Sequence, residues 1–209
     1  MIVGLEVGRR RVFAAALAWP GWCRSGRDGE AALAALAAHE ARYAAVAALA
    51  GVSVGHDEVM EVVEEVAGNA TTDFGAPAAV FAYDREPVPP AERARTAALV
   101  RAGYEYFDDV IASSPELLRK GPRGGGRDRD AVAAHVLAAD GAYGRKLGLP
   151  NPGTGPQEVR AHREAVVGLF ASATGGAPPP GGRWPPRYGA RRILWHLLDH
   201  AFEVEDRRG

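Results

Sequence analysis

The feature that most restricts what this chain can fold into is a change of hydrophobic period at a proline-rich junction, Pro87-Val88-Pro89-Pro90. Before it, apolar residues come in short dense runs broken by Gly and Pro. After it, they recur every three or four residues over long stretches. Those two periods belong to strands and to helices, so the pattern predicts an α+β protein of two units, residues 1–85 and 91–209, with the boundary near 86–91. A length of 209 residues accommodates one large domain or two modest ones. With 26 Gly and 15 Pro the chain stays below the roughly 25–30% that marks disorder.

In the first unit, residues 2–7 and 11–19 are rich in Val, Ile, Phe and Leu and are separated by Gly8-Arg9-Arg10, which predicts a β-hairpin. Pro20-Gly21 is expected to stop the second strand. Asp28 can cap one helix running through the Ala-rich stretch to about Ala50, with Gly51 as its stop. Glu58 to Ala67 fits a helical face through Val59, Val62, Val63 and Val66, but its density of β-branched residues favours a strand, giving the order β-β-α-β. From Gly68 to Pro90 the residues are those of turns.

The second unit offers four helices. Glu92 to Ala112 carries Leu99, Val100, Gly103, Tyr106, Phe107, Val110 and Ile111 on one side. Asp128 or Asp130 can cap a helix to Leu147, with Val132, His135, Val136, Ala139 and Tyr143 inward. Gln157 to Ala173 is the third, and a Gly/Pro-rich connection leads to a fourth from about Gly189 to Asp206. Four amphipathic helices with a long crossover suggest a four-helix bundle.

Composition removes several classes of function. Basic and acidic side chains number 25 and 26, so no overall basic field favours nucleic acid or anionic lipid, and neither is expected as a partner. No apolar run approaches the length of a membrane span. The N-terminus shows no basic segment followed by a long apolar one, so no signal peptide is expected. The single cysteine, Cys23, cannot form an intrachain disulfide and fits a reducing, cytoplasmic setting. As a residue it reads as a small buried hydrophobe.

Chemistry concentrates in the last helix. His196 and His200, four apart, project from one face, which is the geometry for chelating one ion. Ile193, Leu197 and Val204 flank them, placing that face toward the interior, and His135 on the inward stripe of the second helix can reach across. Three imidazoles with further positions open make a catalytic type of metal site, while three hydrogen-bonded core histidines are the other reading. Glu203, three residues beyond His200, is a candidate acceptor for a ligand histidine, a candidate general base, or part of a solvated acidic face. Asp199 and His162 have similar standing, His162 being more readily a core histidine. The pairs Arg191-Arg192 and Arg207-Arg208 read as solvated helix ends, and Gly124-Gly125-Gly126-Arg127 as a flexible connection. Trp184, Tyr188 and Trp195 read as packing for the crossover.

Glu92 to Asp206, with Asp-Ala-Val-Ala-Ala-His135-Val and Leu-Trp-His196-Leu-Leu-Asp-His200, resembles the DinB-like (YfiT-like) four-helix bundle family, whose metal site takes one His from the second helix and two, four apart, from the last. The resemblance implies that His135, His196 and His200 hold a divalent ion, zinc or nickel. It also implies a thiol-dependent transferase, isomerase or hydrolase acting on a small molecule, with a low-molecular-weight thiol such as bacillithiol or mycothiol as cosubstrate. Phe13 to Gly26, ending Trp19-Pro20-Gly21-Trp22-Cys23-Arg24-Ser25-Gly26 and followed by Asp28-Gly29-Glu30-Ala31-Ala32-Leu33, is similar to the HicB-like antitoxin core. That similarity implies a small α/β domain that binds a protein partner or dimerises, and with it the alternative of a non-catalytic regulatory protein.

Overall fold

The computed structural model describes residues 1–55, 59–121 and 125–208. Strands β1 (Ile2–Val7), β2 (Val12–Ala16) and β3 (Cys23–Gly26) form an antiparallel meander, and β4 (Glu61–Ala67) pairs in parallel with the free side of β1, giving the sheet order β3-β2-β1-β4. Helices α1 (Gly29–Ala38) and α2 (Glu40–Leu49) supply the crossover that a parallel return requires. The observed order is therefore β-β-β-α-α-β rather than β-β-α-β, within the expected α+β class.

Two local causes explain the difference. Pro20-Gly21 does not end the sheet but turns it. Trp22 N–H donates to the Trp19 carbonyl at 3.1 Å, Pro20 holds the first central position, and Gly21 takes φ +89° at the second. That is the chemistry of a type II turn, and it pairs Ala15 with Cys23 in the added strand. The helix expected from Asp28 to about Ala50 breaks at His39, whose backbone (φ −94°, ψ 1°) leaves the helical well and whose Nδ1 lies 3.1 Å from the Ala35 carbonyl. The break lets α2 turn Tyr43 onto Trp22, ring on ring at 5.1 Å, with the Tyr43 hydroxyl donating to the Pro20 carbonyl. Asp28 caps α1 as its position predicts, accepting from Ala31 N–H at 2.8 Å.

The ambiguous valine-rich segment is a strand, its expected start at Glu58 lying outside the described residues. Between β4 and the helical half, where only turns were expected, stand the short helix α3 (Ala70–Phe74) and a 3-10 turn at Ala82–Arg85. Both faces of the central strands are covered, as the period of two requires. Val3, Leu5, Ala14 and Ala16 pack with Ala32 and Leu36, while Phe13, Ala15, Leu17 and Cys23 pack with Phe81 and Trp195.

The helical half is α4 (Pro90–Ser113), α5 (Arg129–Lys146), α6 (Pro156–Ser172) and α7 (Pro186–Arg207), each packed against the other three. Helix α7 begins three residues before the expected Gly189, because Pro186 at its first position has no N–H to leave unpaired. Every residue of α7 from Pro186 to Leu198 is buried, although the sequence period anticipates a one-sided stripe. The other side of α7 is taken by the first half of the chain: Trp195 meets Phe13 edge to face, and Leu194 lies under Gly21. One apolar cluster runs without a break from Val3 through Leu36 and Leu99 to Val204. The junction at 86–91 marks the change of period and is itself tied down, with Arg187 donating to the carbonyls of Tyr83, Glu86 and Pro87 and pairing with Glu92 at 2.5 Å.

Gly21 is the single residue on which the turn and the packing on α7 both depend. A β-carbon there would sit 2.6 Å from Leu194 Cγ as well as forcing a positive φ on an L-residue. Gly21→Ala is expected to lower the unfolding free energy by about 1–3 kcal/mol in urea titration. An unchanged midpoint would show that neither constraint operates.

Candidate metal centre

Helix α5 presents His135 and helix α7 presents His196 and His200, and one nitrogen from each lies within 4.8 Å of the others. Among the described residues this is the one cluster of ligating side chains close enough to share an ion. The rings are nearly perpendicular where they meet His200, with centroids 4.6 Å (His196) and 4.9 Å (His135) away. His135 Nε2 and His196 Nε2 stand 3.3 Å apart. Two nitrogens on a tetrahedral zinc, each bonded at about 2.0–2.1 Å, are separated by about 3.3–3.4 Å along the tetrahedron's edge. That spacing is shared by two ligands of one ion and by an N–H···N hydrogen bond between the two rings, the two readings that the sequence left open.

The electrostatics agree with that spacing. Burial, then the neighbouring His200 and Arg192, push the pKa of His196 down to about 2, so its imidazole is neutral with a lone pair to give. Burial, followed by His200 and Arg127, also lowers His135. His200 is oriented by Glu203: its Nδ1 donates to Glu203 Oε2 at 2.9 Å, which leaves the lone pair on Nε2. The second Glu203 oxygen accepts from Arg207 at 2.6 Å, and Arg207 in turn donates to the Arg119 carbonyl. These hydrogen bonds, that from His200 foremost, hold the Glu203 carboxyl below the usual carboxylate range. Glu203 is thus the acceptor that fixes the tautomer of His200.

Other candidates fall elsewhere. Asp199 pairs with Arg24 of β3 at 3.2 Å, on the sheet side of α7. His162 is buried on α6 with Nε2 3.8 Å from Asp140, as a core residue of the helical half. Cys23 is buried in the cluster that holds Phe13 and Trp195. Trp184 packs on Tyr143 and Tyr188. Of the glycine run before α5, Gly124 lies outside the described residues.

Tyr143 and Arg192, near the histidines, had no part in the expected site. Tyr143 of α5 stands edge-on to His196 at 5.5 Å. Arg191 and Arg192, expected as solvated helix ends, are 7% and 8% exposed. Arg191 is paired with buried Asp84 at 2.6 Å, and Arg192 lies over the rings of Tyr143 and Trp195. The aromatic residues at 188 and 195 were the available signal, since a guanidinium buries most readily against rings.

Comparison with protein-family models, with curated proteins and with solved structures finds no match to this chain. Among the described residues, no helix is long and apolar enough to cross a membrane.

Cys23 gives a direct check on the burial around α7. Burial raises its thiol from 9.0 to about 12, so at pH 8 the reactive thiolate is almost absent in the folded chain. Iodoacetamide at pH 8 is expected to alkylate Cys23 readily in 8 M urea and at least about 100-fold more slowly under native conditions. Equal rates would show that this core is open.

Proposed function

We propose that this chain is a metal-dependent enzyme of the DinB-like kind, in which His135, His196 and His200 hold one divalent ion, zinc or nickel, for chemistry on a small molecule. The observation that carries the reading is the tetrahedral-edge spacing of the His135 and His196 nitrogens beside an imidazole whose far nitrogen is held by a carboxylate. When bound, the ion would lower the pKa of a coordinated thiol or water and so supply a nucleophile near neutral pH. His196 contributes a ligand that needs no proton removed. Glu203 acts as a positioning residue, keeping the proton of His200 on Nδ1. A low-molecular-weight thiol is the cosubstrate that the family resemblance suggests, and three protein ligands leave a coordination position for it.

A second reading has one observation in its favour. Strand β4 closes the sheet on one side with exposed Val62 and Val63, preceded by Val59. An edge of this kind suits a protein partner or a second copy, as the HicB-like resemblance suggests.

Elemental analysis of untagged protein separates the two. The enzyme reading expects close to one zinc or nickel per chain, lost in a folded His200→Ala variant and bound about 10–100-fold more weakly in Glu203→Gln. A folded wild-type protein that takes up neither metal on addition would overturn it and leave the partner-binding reading.

A further inference from the structure

We propose that Arg192 is the anion-recognition residue of this centre, and that the molecule taken up there carries a carboxylate next to its metal-binding atom. The proposal rests on the reading of His135, His196 and His200 as a metal site and adds the chemical class of its ligand. Arg192 precedes His196 by one helical turn, so the two side chains leave α7 on the same side. Its guanidinium lies 5.2 Å from the Tyr143 ring centre and 4.9 Å from that of Trp195, and the same two rings flank His196 at 5.5 and 6.2 Å. Arginine and imidazole therefore share one aromatic wall.

The contrast with its neighbours is what makes Arg192 informative. Helix α7 buries three arginines. Arg187 is matched by Glu92 and by three backbone carbonyls, and Arg191 by both oxygens of Asp84. Arg192 is buried to the same degree, yet among the described residues no carboxylate pairs with it: the Tyr143 hydroxyl is its polar neighbour, and its Nη1 is shielded with no hydrogen-bond partner in the protein. A desolvated cation without a counter-charge is costly, and the aromatic faces offset only part of that cost. The local charges point the same way. Three neutral imidazoles leave an ion's double charge intact, and Glu203, the carboxylate at the cluster, is already matched by Arg207. A ligand with one donor for the metal and a carboxylate for Arg192 neutralises both, and the planar guanidinium fork suits a carboxylate.

The test uses cobalt(II)-loaded full-length protein and two thiols of equal chain length, mercaptoacetate and mercaptoethanol, with binding read from the sulfur-to-cobalt charge-transfer absorption. In the wild type, mercaptoacetate is expected to bind at least about tenfold more tightly than mercaptoethanol, a difference of about 1.4 kcal/mol. Arg192→Gln is expected to erase that preference while leaving mercaptoethanol affinity and the cobalt spectrum unchanged, which also reports that the variant is folded. Arg192→Lys should retain part of the preference. Equal affinities in the wild type would overturn the proposal without recourse to any variant. A preference that persists in Arg192→Gln would also overturn it, since the carboxylate would then be binding to the metal. Failure of the wild type to take up cobalt would overturn the metal centre itself and the proposal with it, an outcome distinct from the other two.

Discussion

From Pro186 to Leu198 helix α7 is enclosed on every side, and the rest of the structure depends on how that enclosure is made. A helix in this position cannot leave polar side chains in water, so each one needs a partner or a ring to lie on. Arg187 and Arg191 find theirs in the segment before α4, in Asp84 and the carbonyls of Tyr83, Glu86 and Pro87, and in Glu92 of the first turn of α4. These bonds join the two halves of the chain at the very place where the hydrophobic period changes. A buried ion pair adds little net stability over apolar packing, but breaking one leaves an uncompensated charge and is severe. Its effect here is to specify the position of α7 against the 3-10 turn and, through Trp195 and Leu194, against the sheet.

The same helix carries two of the three histidines, so the accuracy of the cluster follows from that positioning. Trp195 faces the sheet and His196, the next residue, faces α5, because consecutive helical residues point about 100° apart. Packing on both sides of α7 therefore sets the angle at which His196 meets His135. His200 lies one turn further on, where burial is less complete, and there a hydrogen-bond chain through Glu203, Arg207 and Arg119 does the orienting that packing does for His196. Imidazoles held by rigid helices and by hydrogen bonds from behind are what the proposed metal centre would require.

Much of this was legible in the residues. The spacing of His196 and His200, the inward stripe of the second helix with His135 on it, the cap at Asp28 and the four helical periods all rest on local rules, and local rules act within a few residues. The departures have a common cause. Pro20-Gly21 stops a strand or turns it depending on whether another strand is available to pair, and Cys23–Gly26 is that strand. His39 breaks a helix of good helix formers because Tyr43 has a stacking partner in Trp22, which is remote in sequence. Arg191 and Arg192 read as a solvated pair because Asp84 and Tyr143, which join the nearby rings in covering them, lie about 50 to 110 residues away.

The sequence by itself determined which residues are chemically able to hold an ion and which side of each helix they occupy, because helical periodicity is a property of the backbone and needs no tertiary partner. It also determined that a strand-bearing half precedes an all-helical one. Only the tertiary structure decided that α7 is buried on all sides from Pro186 to Leu198 and that Arg192 shares an aromatic wall with His196. Those outcomes depend on which distant side chains arrive at the same place, and a buried charge takes its meaning from the partner that it finds there or lacks.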